Sequence, residues 1–163
     1  MEALPVSLQT ILYAARAVIS YSPRPDEPNP SGIPFLSDVT ISRILLPGLL
    51  SVDPIALARE TSSSLPATNV VILIPGRAFD RFGTRHGRGG GWYDRFLSAV
   101  PHEWIRIGVG RAQDVSETPL VRQSWDEPVD WLLIESDDEW QVVETKARLQ
   151  DTPHDTSHLS DQS

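Results

Sequence analysis

Residues Val70 to Ile74 read VVILI, five consecutive apolar side chains bounded by Asn69 and by Pro75-Gly76. A strand with one wet face alternates apolar and polar residues, so an unbroken run suits a strand covered on both faces, as in parallel sheets with helices above and below. Comparable short runs occur at Ala17 to Tyr21, at Arg43 to Leu50 (RILLPGLL), at Ile105 to Val109 and at Trp131 to Ile134. Helical spacing separates them. The alternation predicts an α/β fold, a single three-layer domain with a mostly parallel central sheet flanked by helices.

Leu8, Ile11, Leu12 and Ala15 fall on one helical face and predict a helix within Val6 to Ala17. Five prolines between Ser22 and Pro34 remove backbone donors and make that stretch irregular. Asp53 or Pro54 is suited to open a helix running through Glu60, which the Thr61 to Ser64 tract would break. A further helix is expected over Tyr93 to Val100, and a loop or short helix over Asp114 to Thr118. The domain is drawn at residues 1–143, its last apolar group being Trp140, Val142 and Val143. Residues 144–163 form a polar tail expected to be disordered. In such a tail the i, i+4 spacing of His154 and His158 is read as coincidence.

At 163 residues the chain supports one core. It has no cysteine, which excludes disulfides, thiolate catalysis and Cys-based zinc sites. No apolar run reaches the roughly 18–20 residues of a membrane span. The start of the chain lacks the basic, arginine-rich character of export and transit signals, so the cytoplasm is expected, as is a monomer. The net charge of −8 argues against nucleic acid as a partner. Yet five arginines between Arg77 and Arg95 face only Asp80 and Asp94, a local positive field that suits a small anionic ligand.

These arginines are interleaved with glycine in GTRHGRGGGWYD, Gly83 to Asp94. Chain that follows a buried parallel strand lies at the carboxyl edge of the sheet, where open α/β folds bind ligands. Gly83, Gly87, Gly89, Gly90 and Gly91 allow backbone N–H groups to approach phosphate oxygens closely. A helix starting near Trp92 would turn its positive end to the same anion. Arg85 and Arg88 supply planar donors, and Asp94 is placed to hold magnesium. The segment is neither a Walker loop nor the dinucleotide fingerprint, which would follow its strand directly. In the intervening stretch Phe79 is read as core or ligand contact, and Asp80 as turn cap or ligand contact.

The stretch IPGRAFDRFGTRHGRGGGWYDRFL, Ile74 to Leu97, resembles the signature of the 5-formyltetrahydrofolate cyclo-ligase family, or methenyltetrahydrofolate synthetases: P-G-x-A-F-D-x-x-G-x-R-x-G-x-G-x-G-Y-Y-D-x-x-L. Ile107 to Gln113 resembles the family's strand followed by glutamine, and Asp126 with Val129-Asp130 its h-D-x-x-V-D element, so the resemblance spans Val70 to Glu135. It implies ATP- and Mg2+-dependent closure of 5-formyltetrahydrofolate to 5,10-methenyltetrahydrofolate, in which the formyl oxygen is phosphorylated, the folate amine attacks and phosphate departs. Carried over by position, Arg85, His86, Gly87, Arg88, Gly89, Gly90, Gly91, Trp92 and Tyr93 would bind ATP. Glu27, Arg88, Gly89, Gly90, Gly91 and Trp92 would contact the reduced folate. Arg88 and Gly89 would be catalytic positions, and Asp94 and Asp126 would hold Mg2+.

The chain departs from this pattern in places. Trp92 stands where the family has tyrosine or phenylalanine, and Trp125 where a histidine often precedes the second acid. The family's amino-terminal helix carries a lysine that reaches the nucleotide, whereas the single lysine here is Lys146. The segment before Val70 looks shortened. A second reading is therefore a catalytically impaired family member that retains nucleotide or folate binding.

Overall fold

The apolar run at residues 70–74 lies in the middle of a sheet, buried along its whole length. The computed structural model describes residues 5–36, 42–46 and 52–147. In chain order the elements are α1 (Val6–Ala14), β1 (Ala17–Tyr21), β2 (Ser42–Leu46), α2 (Pro54–Ser64), β3 (Val70–Pro75), β4 (Ala78–Asp80), β5 (Arg85–His86), α3 (Trp92–Ser98), β6 (Ile105–Arg111), β7 (Val115–Ser116), β8 (Trp131–Ser136) and β9 (Glu139–Glu144). Six strands form the main sheet in the order β2-β1-β3-β6-β8-β9. The first five are parallel, and β9 pairs antiparallel with β8 at the edge.

Alternate side chains of each strand serve opposite layers. Ile72, Ile74, Leu132 and Ile134 pack with Ala58 of α2 and Phe96 and Leu97 of α3. Val71, Leu73, Ile107, Val109 and Leu133 pack with Leu8 and Leu12 of α1. The result is the expected three-layer α/β domain. Among the described residues no helix is long and apolar enough to cross a membrane.

The strand order creates the ligand-sized opening. β1 has β2 on one side and β3 on the other. Chain leaving β1 turns toward β2, while chain leaving β3 goes the opposite way, toward β6. The carboxyl ends of β1 and β3 therefore flank the topological switch point of an open α/β sheet.

Several local expectations change. α1 ends at Ala14, inside the Val6 to Ala17 span expected to hold it. α2 is capped by Asp53, whose side chain accepts the Ile55 N–H at 3.4 Å, but it continues through Ser64. The Thr61 to Ser64 tract does not break it, because the hydroxyls of Thr61 and Ser62 donate to carbonyls one turn back, those of Leu57 and Ala58, at 2.7 and 2.6 Å. α3 begins at Trp92 and ends at Ser98. The Asp114 to Thr118 region resolves into a 3-10 turn, Ala112–Asp114, and the two-residue β7. Thr145 and Ala147, just past β9, are buried. Residues 47–50 of the RILLPGLL strand, the 148–163 part of the expected tail, and its two histidines lie outside the described residues.

Phe79 settles as core: its ring is fully buried against β6. A Cβ on Gly108 or Gly110 would stand 2.6 or 2.7 Å from that ring, so the two strand glycines make its seat. Gly108→Ala should accordingly cost about 1–3 kcal/mol through overpacking. The loss reads as a lower urea midpoint at unchanged slope, and an unaltered midpoint would refute the seat.

Candidate functional site

Between β3 and α3 the chain makes an excursion that the sheet does not support, and a buried carboxylate holds it in shape. Asp80 Oδ1 accepts the N–H groups of Phe82 and Thr84 at 2.9 and 3.0 Å, and Oδ2 accepts that of Leu120 at 2.7 Å. Of the two readings of Asp80, the turn cap is the one observed. The small sheet β5-β4-β7 extends the connection between the excursion and the later loop. Gly83 belongs to this framework and not to a cradle: its φ is +96°, and a Cβ there would meet Ala147 and the Val129 carbonyl at 2.6 and 2.8 Å.

The excursion forms one wall of a 650 Å³ cleft at the switch point. Ser22, Arg24 and Glu27 come from the loop after β1, Pro75 and Gly76 from the end of β3, residues 85–94 from the glycine segment and α3, and Trp125 and Asp126 from the loop before β8. Every position that the resemblance assigns to ATP, folate or magnesium, Glu27, 85–94 and Asp126, borders this one opening. A second hollow of 280 Å³ adjoins it, sharing Gly76 and Arg88 and bordered also by Asp26, Arg77, Arg111, Gln113 and Asp114.

Gly89 and Gly91 have φ of +103° and +66°, and around Gly89, Gly90 and Gly91 a Cβ would meet no atom within 4 Å. The segment is thus bare backbone facing open space. Gly91 is the N-cap of α3, with no side chain satisfying the helix's first N–H groups. Arg88 reaches across the cleft mouth, its Nη2 donating to both Asp26 oxygens at 2.6 Å, with Glu27 Oε2 3.6 Å from Nε. That bond raises the Arg88 pKa and lowers that of Asp26. Glu27 is itself well buried and accepts the Arg24 N–H at 2.8 Å.

The remaining candidates are more committed. Arg85 is buried, donates from Nε to the Pro75 carbonyl at 2.6 Å and lies over the Tyr93 ring, 5.0 Å from its centroid. Burial lowers the Arg85 pKa, against the pull of Asp94 and other nearby groups. Burial also pushes Tyr93 up to about 12, with Arg85 opposing, so its phenol stays neutral. His86 donates from Nε2 to the Val121 carbonyl at 2.6 Å and works as a strut. Trp92 is 5% exposed, its indole N–H bonded to the Val52 carbonyl at 2.9 Å and its ring stacked on Phe96.

Asp94 and Asp126 both border the cleft, near enough for one charge to act on the other. Asp94 Oδ1 accepts the Glu127 N–H at 3.0 Å, and Asp126 Oδ2 the Gln123 N–H at 2.7 Å. The second oxygen of each carries no hydrogen bond among the described residues. Burial raises the Asp94 pKa, and the Asp126 charge adds to it. A divalent cation would relieve both effects. Among the described residues no group of three or more acids or histidines could cage a metal alone. Magnesium, however, is typically held by one or two carboxylates together with phosphates and water, so the donor set fits an ion that arrives with a phosphate ligand.

Comparison with known proteins decides the lineage. The family model for the 5-formyltetrahydrofolate cyclo-ligase family matches residues 14–135. The chain belongs to this family. The match extends well upstream of the motif, taking in β1, β2 and α2. Among solved structures the chain is similar to the 5,10-methenyltetrahydrofolate synthetase of Mycoplasma pneumoniae, with 19% identity, TM-score 0.53 and coverage of 79% of this chain and 80% of that one. It is likewise similar to the 5,10-methenyltetrahydrofolate synthetase of Aquifex aeolicus, with 23% identity, TM-score 0.52 and coverage of 83% and 79%. At such identities the likeness speaks for the fold. No curated protein matches.

Sequence reading missed Asp26, the partner of Arg88, because 62 residues separate them. It also missed Ser22 and Arg24, whose place at the cleft follows only from the strand order. A charge left on half-buried Asp94 is a cost to the fold. Its raised pKa means that the cost is absent below the ordinary carboxylate value and fully present above the raised one. Asp94→Asn, which keeps the acceptor for Glu127, should therefore melt no lower than wild type at neutral pH, with any gain vanishing on acidification below that window. A lower neutral melting temperature would contradict this.

Proposed function

We propose that this cyclo-ligase family member catalyses ATP- and Mg2+-dependent cyclisation of 5-formyltetrahydrofolate to 5,10-methenyltetrahydrofolate, releasing ADP and phosphate, as a cytoplasmic monomer. The observation that carries the reading is the meeting of the bare 89–91 backbone, Arg85 and Arg88, the Asp94 and Asp126 carboxylates and Glu27 in one cleft. The family supports the reaction, and the cleft has the parts that it requires.

Phosphoryl transfer to a formyl oxygen, followed by attack of the folate amine, needs alignment and charge stabilisation more than a protein nucleophile. In this reading the 87–91 segment receives the phosphates through backbone N–H groups, and Arg85, held from below by Pro75 and Tyr93, supplies fixed positive charge. Arg88 exchanges its exposed partner Asp26 for phosphate oxygens at small cost, since exposed pairs contribute little. Asp94 and Asp126 would hold Mg2+, which when bound neutralises phosphate charge. Glu27 and Trp92 border the volume left for the folate.

A second reading, binding without turnover, draws on the absence of any lysine before Lys146 and on the clamp that already occupies Arg88. Turnover separates the two. Wild type should produce the methenyl absorbance only with both ATP and magnesium, and Arg88→Ala should lower kcat/KM about 100-fold, as loss of one charge-stabilising donor does. Full activity in Arg88→Ala would sink the assignment, and nucleotide binding without product would favour the second reading. Gly90→Val should weaken ATP binding at least about 10-fold while stability stays within about 0.5 kcal/mol, as at other open surface positions. Unchanged affinity would refute the cradle.

A further inference from the structure

Four of the five tryptophans are buried, Trp92, Trp104, Trp131 and Trp140, each at 5% exposure or less. Trp125 is 68% exposed and borders the cleft. Its indole makes neither a hydrogen bond nor a ring contact with any described residue. Isolated exposed apolar side chains are ordinary, but this one is carried on a loop that is tied down on both sides. Before it, Leu120 bonds Asp80, the Val121 carbonyl receives His86, and Arg122 donates to Thr84 Oγ1 and the Phe82 carbonyl at 3.0 and 2.9 Å. Around it, Gln123 and Asp126 exchange hydrogen bonds at 2.7 and 3.1 Å, and after it Glu127 bonds Asp94.

A loop held this firmly fixes the backbone at Trp125 at the rim of the cleft, next to Asp126, and leaves the indole without a partner on its faces. We propose that Trp125 is a stacking surface for the flat heteroaromatic ring of the cleft's ligand, the purine of a nucleotide or the pterin of a reduced folate. This rests on the functional reading of the cleft given above and adds a binding residue to it. An indole has few torsions to order and a large π-face for any flat ring, and stacking does not depend on which heteroatoms the ring carries. The wall is specific for shape, and the neighbouring charges decide which of the two rings meets it.

Calorimetric titration of the full chain tests the proposal, with Mg2+-ADP in one arm and 5-formyltetrahydrofolate in the other. Trp125→Ala should weaken one ligand about 10-fold and leave the other within about 2-fold; the weakened arm identifies the ring. Trp125→Phe should restore most of the affinity, and Trp125→Leu, apolar but not flat, should not. Unchanged affinity in both arms, or rescue by leucine equal to that by phenylalanine, overturns stacking while leaving the proposed reaction intact. Ligand binding with the expected variant pattern but no turnover overturns the reaction and upholds stacking. Wild type that binds neither ligand overturns both.

Discussion

The buried carboxylate of Asp80 is the point on which the cleft depends. It is fully inaccessible and accepts three backbone N–H groups, two from its own turn and one from Leu120, 40 residues later. A charge so placed is stable only while its donors are in position, which makes it a strong constraint on where two separate loops lie. One loop leads to the glycine segment and the other carries Trp125 and Asp126. Further bonds follow the same seam: Val129 N–H to the Gly83 carbonyl at 2.9 Å, and Lys146 N–H to the Arg81 carbonyl at 3.1 Å. The cleft wall is therefore stitched to the far end of the domain.

The cleft also reconciles an acidic protein with an anionic ligand. Arginines at 85 and 88 and carboxylates at 94 and 126 face the same space, so neither sign dominates. In the proposed reading the positive groups address phosphate directly, and the acids address it through a cation. The acids on the other rim, Asp26 and Glu27, keep Arg88 extended across the mouth. They hold it where a phosphate oxygen could replace them.

Legibility followed the range of the interactions. The buried strands could be read because an apolar run depends only on its own residues, and the parallel α/β class followed from their alternation. The glycine segment and its acid were legible for the same reason, as one contiguous motif. The antiparallel β9 was not, although Asp137 and Asp138 at φ of 46° and 66° form a two-residue hairpin turn that aspartate tolerates. An Asp-Asp pair without glycine is a weak signal against an acidic background. The serine-rich end of α2 misled because its hydroxyls bond within the helix. Gly83 misled because it sits in the motif by sequence and under Ala147 in space. Asp26 and the anchors of the Trp125 loop are long-range pairings with no local trace.

Magnesium dependence of nucleotide affinity tests the central claim most directly, because the two carboxylates form no complete metal cage and the phosphates are expected to complete it. Measured by calorimetry, ATP should bind at least about 10-fold more tightly with excess Mg2+ than with EDTA, and Asp126→Asn should remove most of that difference. Equal affinity with and without the ion, or a magnesium effect untouched by Asp126→Asn, would contradict the account.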